Sequence, residues 1–434
     1  MPRPEWTNWA GTVTRSPGST AHPRDVPEAA ALLRAAARSG RTVRPLGSGH
    51  SFTAVGAPDD GALALDLARW TGIERVDGPL VTVRAGTPLH RLNRELAEFG
   101  LALPNLGDID QQTIAGAIST GTHGTGAELG GLATQVTALE LLLADGSTRR
   151  CSETEDRMLF DAARIGLGAL GVLTRVTLRC VPEFHLVADE RPEPLDEVLD
   201  RFEELAAANH HFEFYWFPHS ARTLVKRNNR LPAGEAPHPL SRAREFFEYE
   251  VVENRAFGAL CRLGRASPRM VRPLNRFCAA TWSSRHYSDR AHRVFVTRRR
   301  VRFLESEYAI PLAELPAALG ELRAAAATLD HPVMFPVEVR VAAADDIWLS
   351  TAHRRRTAYI AVHQFTGMPH RSWFDAFSSI ADAVGGRPHW GKMHRLTADR
   401  LRERYPRFDD FRALRAELDP EGLFDNPYLA RVLG

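Results

Sequence analysis

The sequence predicts an α+β fold of two or three domains, and three observations carry that expectation. Helical and β-type runs alternate before residue 105, punctuated by glycine turns. After about residue 181 aromatic-rich strands alternate with helical segments, the texture of a domain built around an antiparallel sheet. The chain has 434 residues, 44% hydrophobic and 25% charged, which is ample for buried cores.

Charge and cysteine usage bound the function. Lys+Arg 55 against Asp+Glu 53 leaves +2, so no strong field argues for nucleic acid or an acidic membrane surface. The basic residues are lopsided: only Lys226 and Lys392 are lysines, which draws attention to both. Cys151, Cys180, Cys261 and Cys278 form no C-x-x-C and no dense framework, so a reducing, cytoplasmic setting is expected and no metal-ligand spacing appears. The amino-terminal MPRPEWTNWAGTV lacks the apolar core of a signal peptide, and no apolar run approaches the roughly 20 residues of a membrane span.

Taken in order, Asp25-Val26-Pro27-Glu28 reads as a helix start, with Asp25 as N-cap and Gly40 as the stop. A β-type run, Thr42 to Leu46, then feeds Gly47-Ser48-Gly49-His50-Ser51. Glycines there let backbone amides face an anion, although the spacing matches neither common phosphate loop; an anion cradle and a plain turn both remain open. Leu80 to Arg84 alternates as a strand, and a helix is expected from Thr87-Pro88 to about Gly100. Residues 111–126 carry four glycines beyond Ile114 with Ser119, Thr120, Thr122 and Thr125, and read as a long functional loop of small donors. Val136 to Leu143 alternates, with Asp145-Gly146 as a hairpin turn.

Gly166-Leu-Gly168-Ala-Leu-Gly171 is formally G-x-G-x-x-G, but a helical pattern precedes it and a strand, Val172 to Cys180, follows. That order is the reverse of what a dinucleotide-binding βαβ unit needs, so these glycines are expected to form a helix-to-strand passage. Residues 229–300 are rich in Arg and Pro and show little periodicity. Arg298-Arg299-Arg300 with Arg302 fits a solvated face or a docking site for an acidic partner. In Val337-Glu338-Val339-Arg340-Val341 the period of two sends Glu338 and Arg340 to one face, as an ion-pair ladder on a solvated surface or as functional groups. His389-Trp390-Gly391-Lys392-Met393-His394 then sets one of the two lysines beside histidines and an indole.

Together these stretches resemble the FAD-linked oxidases of the vanillyl-alcohol-oxidase class, and within it the sugar-1,4-lactone and alditol oxidases. GSGHS at 47–51, AGAISTGTHGTG at 115–126, GLGALGVLTRVTL at 166–178, EVR at 338–340, HWGK at 389–392 and LDPEGLFDN at 418–426 occur in the family's order across nearly the whole chain. The resemblance implies a PCMH-type FAD-binding domain of two small subdomains over 13–182, an α+β substrate or cap domain with a large antiparallel sheet over 183–380, and a segment, 381–434, that returns to the FAD domain. It further implies that Arg44, Pro45, Leu46, Gly47, Ser48, Gly49, His50 and Ser51 cradle the pyrophosphate, with FAD attached covalently through His50. Gly107, Gly116, Ser119, Thr120, Gly121, His123, Gly124, Thr125, Val172 and His389 would line the cofactor.

The same resemblance places Asp108, Glu338, Arg340 and Lys392 at the substrate. On that reading Lys392, its pKa lowered by burial beside Arg340, takes the hydroxyl proton, Arg340 steadies alkoxide charge, and Glu338 holds hydroxyls and orients Arg340. Glu213-Phe-Tyr-Trp-Phe-Pro-His219 looks like the cap signature of aldonolactone oxidases, and Asp108 stands where alditol oxidases typically carry serine. The expected reaction is oxidation of an L-gulono-1,4-lactone type substrate at C2 to an ascorbate-type product. Gly107, where dehydrogenase relatives have alanine, points to oxygen as acceptor. Alditol oxidation, lactone dehydrogenation with another acceptor and a non-catalytic flavin carrier are the alternatives.

Overall fold

Asp25 caps the first helix, Val26–Arg38, by accepting from the Glu28 amide, and Gly40 at φ +63° ends it. The helix leads into Val43–Leu46, which lies parallel to Leu63–Asp66, itself parallel to Ser19–Ala21. A computed structural model describes residues 5–434; residues 1–4, the head of the amino-terminal stretch, lie outside the described residues. A second small sheet is antiparallel and runs in the order Thr148–Ser152, Val136–Leu142, Val172–Arg179, Leu80–Arg84, Ile73–Asp77. Gly166–Gly171 joins helix Arg157–Ala163 to strand Val172–Arg179, the helix-to-strand passage that the reversed order requires.

Two sequence expectations change here. Residues 111–126 are not all loop: Thr113 caps a short helix, Ile114–Ser119, whose Ile114, Ala117 and Ile118 are buried. Those apolar residues at i, i+3 and i+4 were the helical signal within the glycine-rich run. Strand Val136–Leu142 does not alternate in burial, because both of its faces are covered toward its end.

The third sheet has eight antiparallel strands in the order Arg285–Arg290, His185–Pro194, Arg222–Arg230, His211–Trp216, Val337–Ala342, Thr357–Phe365, Phe303–Pro311, Arg387–Pro388. One face packs apolar side chains, among them Phe212, Phe214, Val337, Val339, Val341, Ile360 and Val362, against Leu315, Leu319, Leu322, Trp373 and Phe377 from two helices. The region 229–300, opaque in sequence, supplies helical segments between 242 and 281 and the edge strand Arg285–Arg290. Among the described residues no helix is long and apolar enough to cross a membrane.

The chain's end returns to its beginning. Phe408, Phe411, Leu414, Phe424, Leu429 and Val432 share one core with Leu33, Val43, Leu65, Leu139 and Val176. Asp419 accepts from the Leu423 and Phe424 amides, and the Val43 amide donates to the Leu423 carbonyl. Arg44 completes the joint: its buried guanidinium donates to the carbonyls of Leu167, Gly168 (3.2 Å) and Phe424 (3.0 Å). Burial, with Arg415 nearby, lowers its pKa to about 10, still a cation at neutral pH. Replacing Arg44 by Met leaves three carbonyls without their donor, so the unfolding free energy should fall by about 2–4 kcal/mol. Urea titration of wild type and Arg44→Met checks this, and an unchanged midpoint would show that the staple carries no stability.

Candidate functional site

Two glycine-bearing loops form the walls of a channel. Pro45 to Ser51 stands on one side, and Gly116, Ser119 and Thr120 on the other, with Leu167, Gly168, Gly171 and Leu173 closing it. The loops come so near that a Cβ on Gly47 would sit 3.1 Å from Thr113 Oγ1 and 3.8 Å from Gly116 Cα. Among the described residues the amides of Ser48, Gly49, His50 and Ser51 donate to no protein acceptor, leaving four donors in one short stretch. A narrow channel with unspent amides at one end suits a dinucleotide with its pyrophosphate at the glycine turn.

The channel opens into a cavity of about 520 Å³, and His50, Ser51, Gln112 and Thr120 line both spaces. His50 stacks on Trp9 at 5.8 Å, and burial, then Lys392, lowers its pKa, so the ring is neutral at neutral pH. Arg44 lines the channel as well, but its guanidinium is spent on backbone carbonyls, so it fixes the walls rather than offering charge to a ligand.

The cavity's far wall is the polar face of the eight-stranded sheet. Glu213 pairs with Arg340 and Tyr215 with Glu338 across one ladder, while Glu338 and Glu307 both oppose Ala361, whose small side chain leaves room between them. Glu305 stands directly across from His363. Alternation therefore gathers Glu213, Tyr215, Glu305, Glu307, Glu338, Arg340 and His363 on one face. These side chains are buried, which removes the solvated-ladder reading of Glu338 and Arg340.

Arg340 is the hub of one half of the wall. Its Nε donates to Glu213 at 2.8 Å, and its Nη2 lies 2.6 Å from Glu338 and 3.7 Å from Asp108. Burial would raise the Asp108 pKa, but Arg299, Arg340 and Lys392 together depress it well below the usual range. Glu338 goes the other way: burial raises it, Arg340 opposes, and Asp108 and Glu213 add to the rise. Tyr215 donates its hydroxyl to Glu338.

Lys392 is the hub of the other half, and here the structure corrects the sequence reading. It does not have a low pKa set by Arg340. Its Nζ pairs with Glu305 and lies 4.0 Å from Glu307, with Phe52 at 5.1 Å on its ring face. Burial alone would lower its pKa, but the two carboxylates outweigh burial and raise it, so the resting group is an ammonium. Burial pushes His389 down to about 4, with Lys392 and His123 adding to the effect. His123 bonds Glu307 at 3.0 Å and stacks on Tyr359 at 3.5 Å. Among the described residues His123, Glu307 and His389 are close enough to share a cation, although Glu307 is already engaged by His123.

Of the remaining expected positions, Gly107, Asp108, Thr120, His123 and His389 line the cavity. Gly121, Gly124, Thr125 and Val172 stand behind the walls. Gly124 is pressed on Leu106 and Asn105, where a Cβ would meet the Leu106 carbonyl at 2.2 Å. Thr125 donates to the Phe212 carbonyl and accepts from the Val341 amide, tying this loop to the sheet. Val172 is fully buried in the core between Gly171 and Leu173.

Sequence reasoning missed Glu305, Glu307, His363, Tyr215, Glu213 and Arg299 as site residues. Phe303-Leu-Glu305-Ser-Glu307 shows the same period-two charge pattern as Val337 to Val341, and that was the available signal. Arg299 is neither a solvated-face residue nor a docking group for an acidic partner: it bonds Asp108 and lines the cavity.

Removing the central cation tests this electrostatic account. Asp108 and Glu213 have folded pKa values below their unfolded ones, so their stabilisation is present above about pH 4 and lost as pH falls through the folded values. The stability gap between wild type and Arg340→Met should therefore be largest near neutral pH and narrow on acidification. Urea unfolding at pH 7 and pH 3 reads the gap, and one that widened at pH 3 would contradict it.

Comparison with known proteins agrees with these features. The family model described as "D-arabinono-1,4-lactone oxidase" matches residues 176–432, and "FAD binding domain" matches 17–152. The chain is 42% identical to an L-gulono-1,4-lactone dehydrogenase of Mycobacterium tuberculosis, over 99% of both chains. It is 35% identical to the L-gulonolactone oxidase of Mus musculus, over 99% of this chain and 98% of the relative, and 33% identical to an alditol oxidase of a Streptomyces species, over 98% of both. The cholesterol oxidase of Brevibacterium sterolicum superposes with a TM-score of 0.84 at 16% identity, covering 100% of this chain and 97% of that one, a likeness of fold. A sugar-lactone family match over most of the chain, joined to an FAD-binding domain, makes this protein an FAD-dependent oxidoreductase of the D-arabinono-1,4-lactone oxidase family.

Proposed function

We propose that the protein oxidises an aldono-1,4-lactone of the L-gulono type at C2, giving a 2-keto lactone that tautomerises to an ascorbate-type enediol. The observation that carries this reading is the pair of cations, buried Arg340 and half-buried Lys392, on the wall of a cavity continuous with the nucleotide channel. Relatives named for L-gulono-1,4-lactone, at 42% and 35% identity over almost the whole chain, support the substrate class. A reducing, cytoplasmic setting belongs to the same reading and is supported by four unpaired, buried cysteines.

Bound FAD supplies the acceptor for the hydride that leaves C2. The loop from Pro45 to Ser51 would hold its pyrophosphate, and neutral His50, braced by Trp9, is the proposed point of covalent attachment. Arg340 and Lys392 present positive charge on the cavity wall, where alkoxide character develops. Glu338 accepts hydrogen bonds from substrate hydroxyls while Tyr215 and Arg340 hold its orientation. Asp108, engaged by Arg299 and near Arg340, adds a carboxylate to the cavity wall beside the substrate.

Anaerobic mixing with L-gulono-1,4-lactone should bleach the flavin absorbance within seconds, and xylitol should act far more slowly. Faster bleaching by xylitol than by every aldonolactone tried would move the protein to alditol oxidation, the activity named for the 33% identical relative. In the same assay Lys392→Met should retain flavin but lose about 10³-fold or more in reduction rate; a rate near wild type would remove Lys392 from the reaction.

For the acceptor we propose oxygen, because Gly107 leaves the cavity wall without a side chain. A second reading, another electron acceptor, is favoured by the relative named as a dehydrogenase. A Cβ at Gly107 would lie 3.2 Å from the His123 carbonyl and 3.4 Å from Thr122 Cγ2, close enough to narrow the wall without filling the cavity. Gly107→Ala should slow reoxidation of the reduced enzyme by air about tenfold or more and leave reduction by lactone within a few-fold, an order-of-magnitude expectation for blocked access. Equal reoxidation rates would free Gly107 from any role in oxygen access.

A further inference from the structure

An ammonium has no lone pair, yet the substrate hydroxyl must lose its proton while C2 loses hydride. The geometry behind Lys392 resolves this conflict, and the resolution rests on the proposed oxidation. We propose that Lys392, Glu305 and His363 form a proton exit, in which Glu305 takes a proton from Lys392 as Lys392 takes one from the substrate hydroxyl. The proton on Glu305 then passes to His363.

The three groups are in line. Lys392 Nζ pairs with Glu305 Oε2, and Glu305 Oε1 lies 3.5 Å from His363 Nε2. His363 Nδ1 is 2.8 Å from the Pro336 carbonyl, an acceptor only, so Nδ1 carries a proton and Nε2 is the nitrogen that faces Glu305 and exchanges a proton with it. Glu307, the other carboxylate near Lys392, is already bonded by His123, which leaves Glu305 as the open route. Glu305 and His363 sit opposite one another in the ladder and are 5% and 6% exposed, so the sheet holds them in register.

The step balances. The C2–H bond breaks with its electron pair going to the flavin, and the O–H bond breaks with its proton going to Lys392 Nζ. One N–H bond of Lys392 breaks as its proton moves to Glu305 Oε2, and a proton moves from Glu305 to His363 Nε2. Lysine ends as ammonium, glutamate as carboxylate and histidine as imidazolium, while the carbinol becomes a carbonyl and the flavin is reduced. Glu305 and His363 act through Lys392 and are positioning residues for the reaction.

Because the chain has only two lysines, the state of Lys392 can be read directly. Cyanate carbamylates unprotonated amines, and peptide mass spectrometry separates Lys392 from Lys226, which pairs with Glu213 at 3.7 Å instead. The groups acting on Lys392 are Glu305 and Glu307 from one strand and Asp108 from the loop before the short helix, while Lys392 itself acts on His50 and His389. Of the carboxylates, Glu305 is the one in direct contact. In Glu305→Gln the pH of half-maximal carbamylation at Lys392 should fall by about one unit or more, with Lys226 unchanged.

The same variant should reduce its flavin about 10²-fold more slowly at pH 7 and recover as pH rises through the lowered lysine pKa. His363→Gln should slow reduction about tenfold or more and leave the carbamylation profile of Lys392 in place. Wild-type reduction rates in Glu305→Gln, or a loss that no rise in pH recovers, would overturn the relay. If L-gulono-1,4-lactone did not bleach the wild-type flavin, the proposed oxidation would fall instead, whereas a wild-type rate in Glu305→Gln overturns the relay alone, so the two failures are told apart. Should Glu305→Gln not fold, Glu305→Asp decides: a retained carboxylate should keep the rate within about tenfold, and a larger loss without pH recovery overturns the exit.

Discussion

Buried charge balance on one sheet face is the constraint on which the rest of the site depends. Glu213, Glu305, Glu307 and Glu338 are all less than about a tenth exposed, and each would carry a large desolvation cost alone. Two cations answer them from opposite ends of the face: Arg340 is shared by Glu213 and Glu338, and Lys392 by Glu305 and Glu307. The ladder dictates this grouping, because residues two apart on a strand and directly opposite on its neighbour face the same way. A one-residue register slip would send the carboxylates into the apolar core and the valines into the cavity.

That face becomes a site because another part of the chain is held against it. The channel-bearing half meets the sheet through Thr125, through the Gly126–Ala342 bridge and through the Phe52 amide, which donates to the Gly391 carbonyl. Arg44 fixes the channel walls relative to the returning carboxy-terminal segment, and the Asn426 side chain donates to carbonyls of Ala54, Val55 and Ala57 in the same joint. Long-range hydrogen bonds between chain beginning and chain end therefore set the distance from the glycine turn to Lys392. The site's geometry is a property of the joint as much as of its lining.

Local signals were legible in the sequence where they carry their own physics. The Asp25 cap, the Gly40 stop, the reversed G-x-G-x-x-G passage and the two-residue alternation around Glu338 all read correctly, since each depends on neighbours within a few residues. The pKa of Lys392 did not, because its direction is set by Glu305 and Glu307, more than eighty residues away, and no local pattern announces that pairing. Arg299 was hidden for a related reason. A run of arginines looks like solvated surface until tertiary structure places Asp108 beside one of them.

The rarity of lysine in this chain gains a physical meaning from the site. All but two of its 55 basic residues are arginines, and both lysines lie against buried carboxylates. Arginine suits Arg340, whose planar fork reaches Glu213 and Glu338 at once and keeps its charge throughout. It would not suit position 392, because a guanidinium does not give up a proton in any accessible range. An ammonium is compact and can pass one proton on as it receives another, provided a carboxylate waits behind it. Glu305 supplies that carboxylate, so the raised resting pKa of Lys392 and a part in moving the hydroxyl proton are compatible consequences of one ion pair.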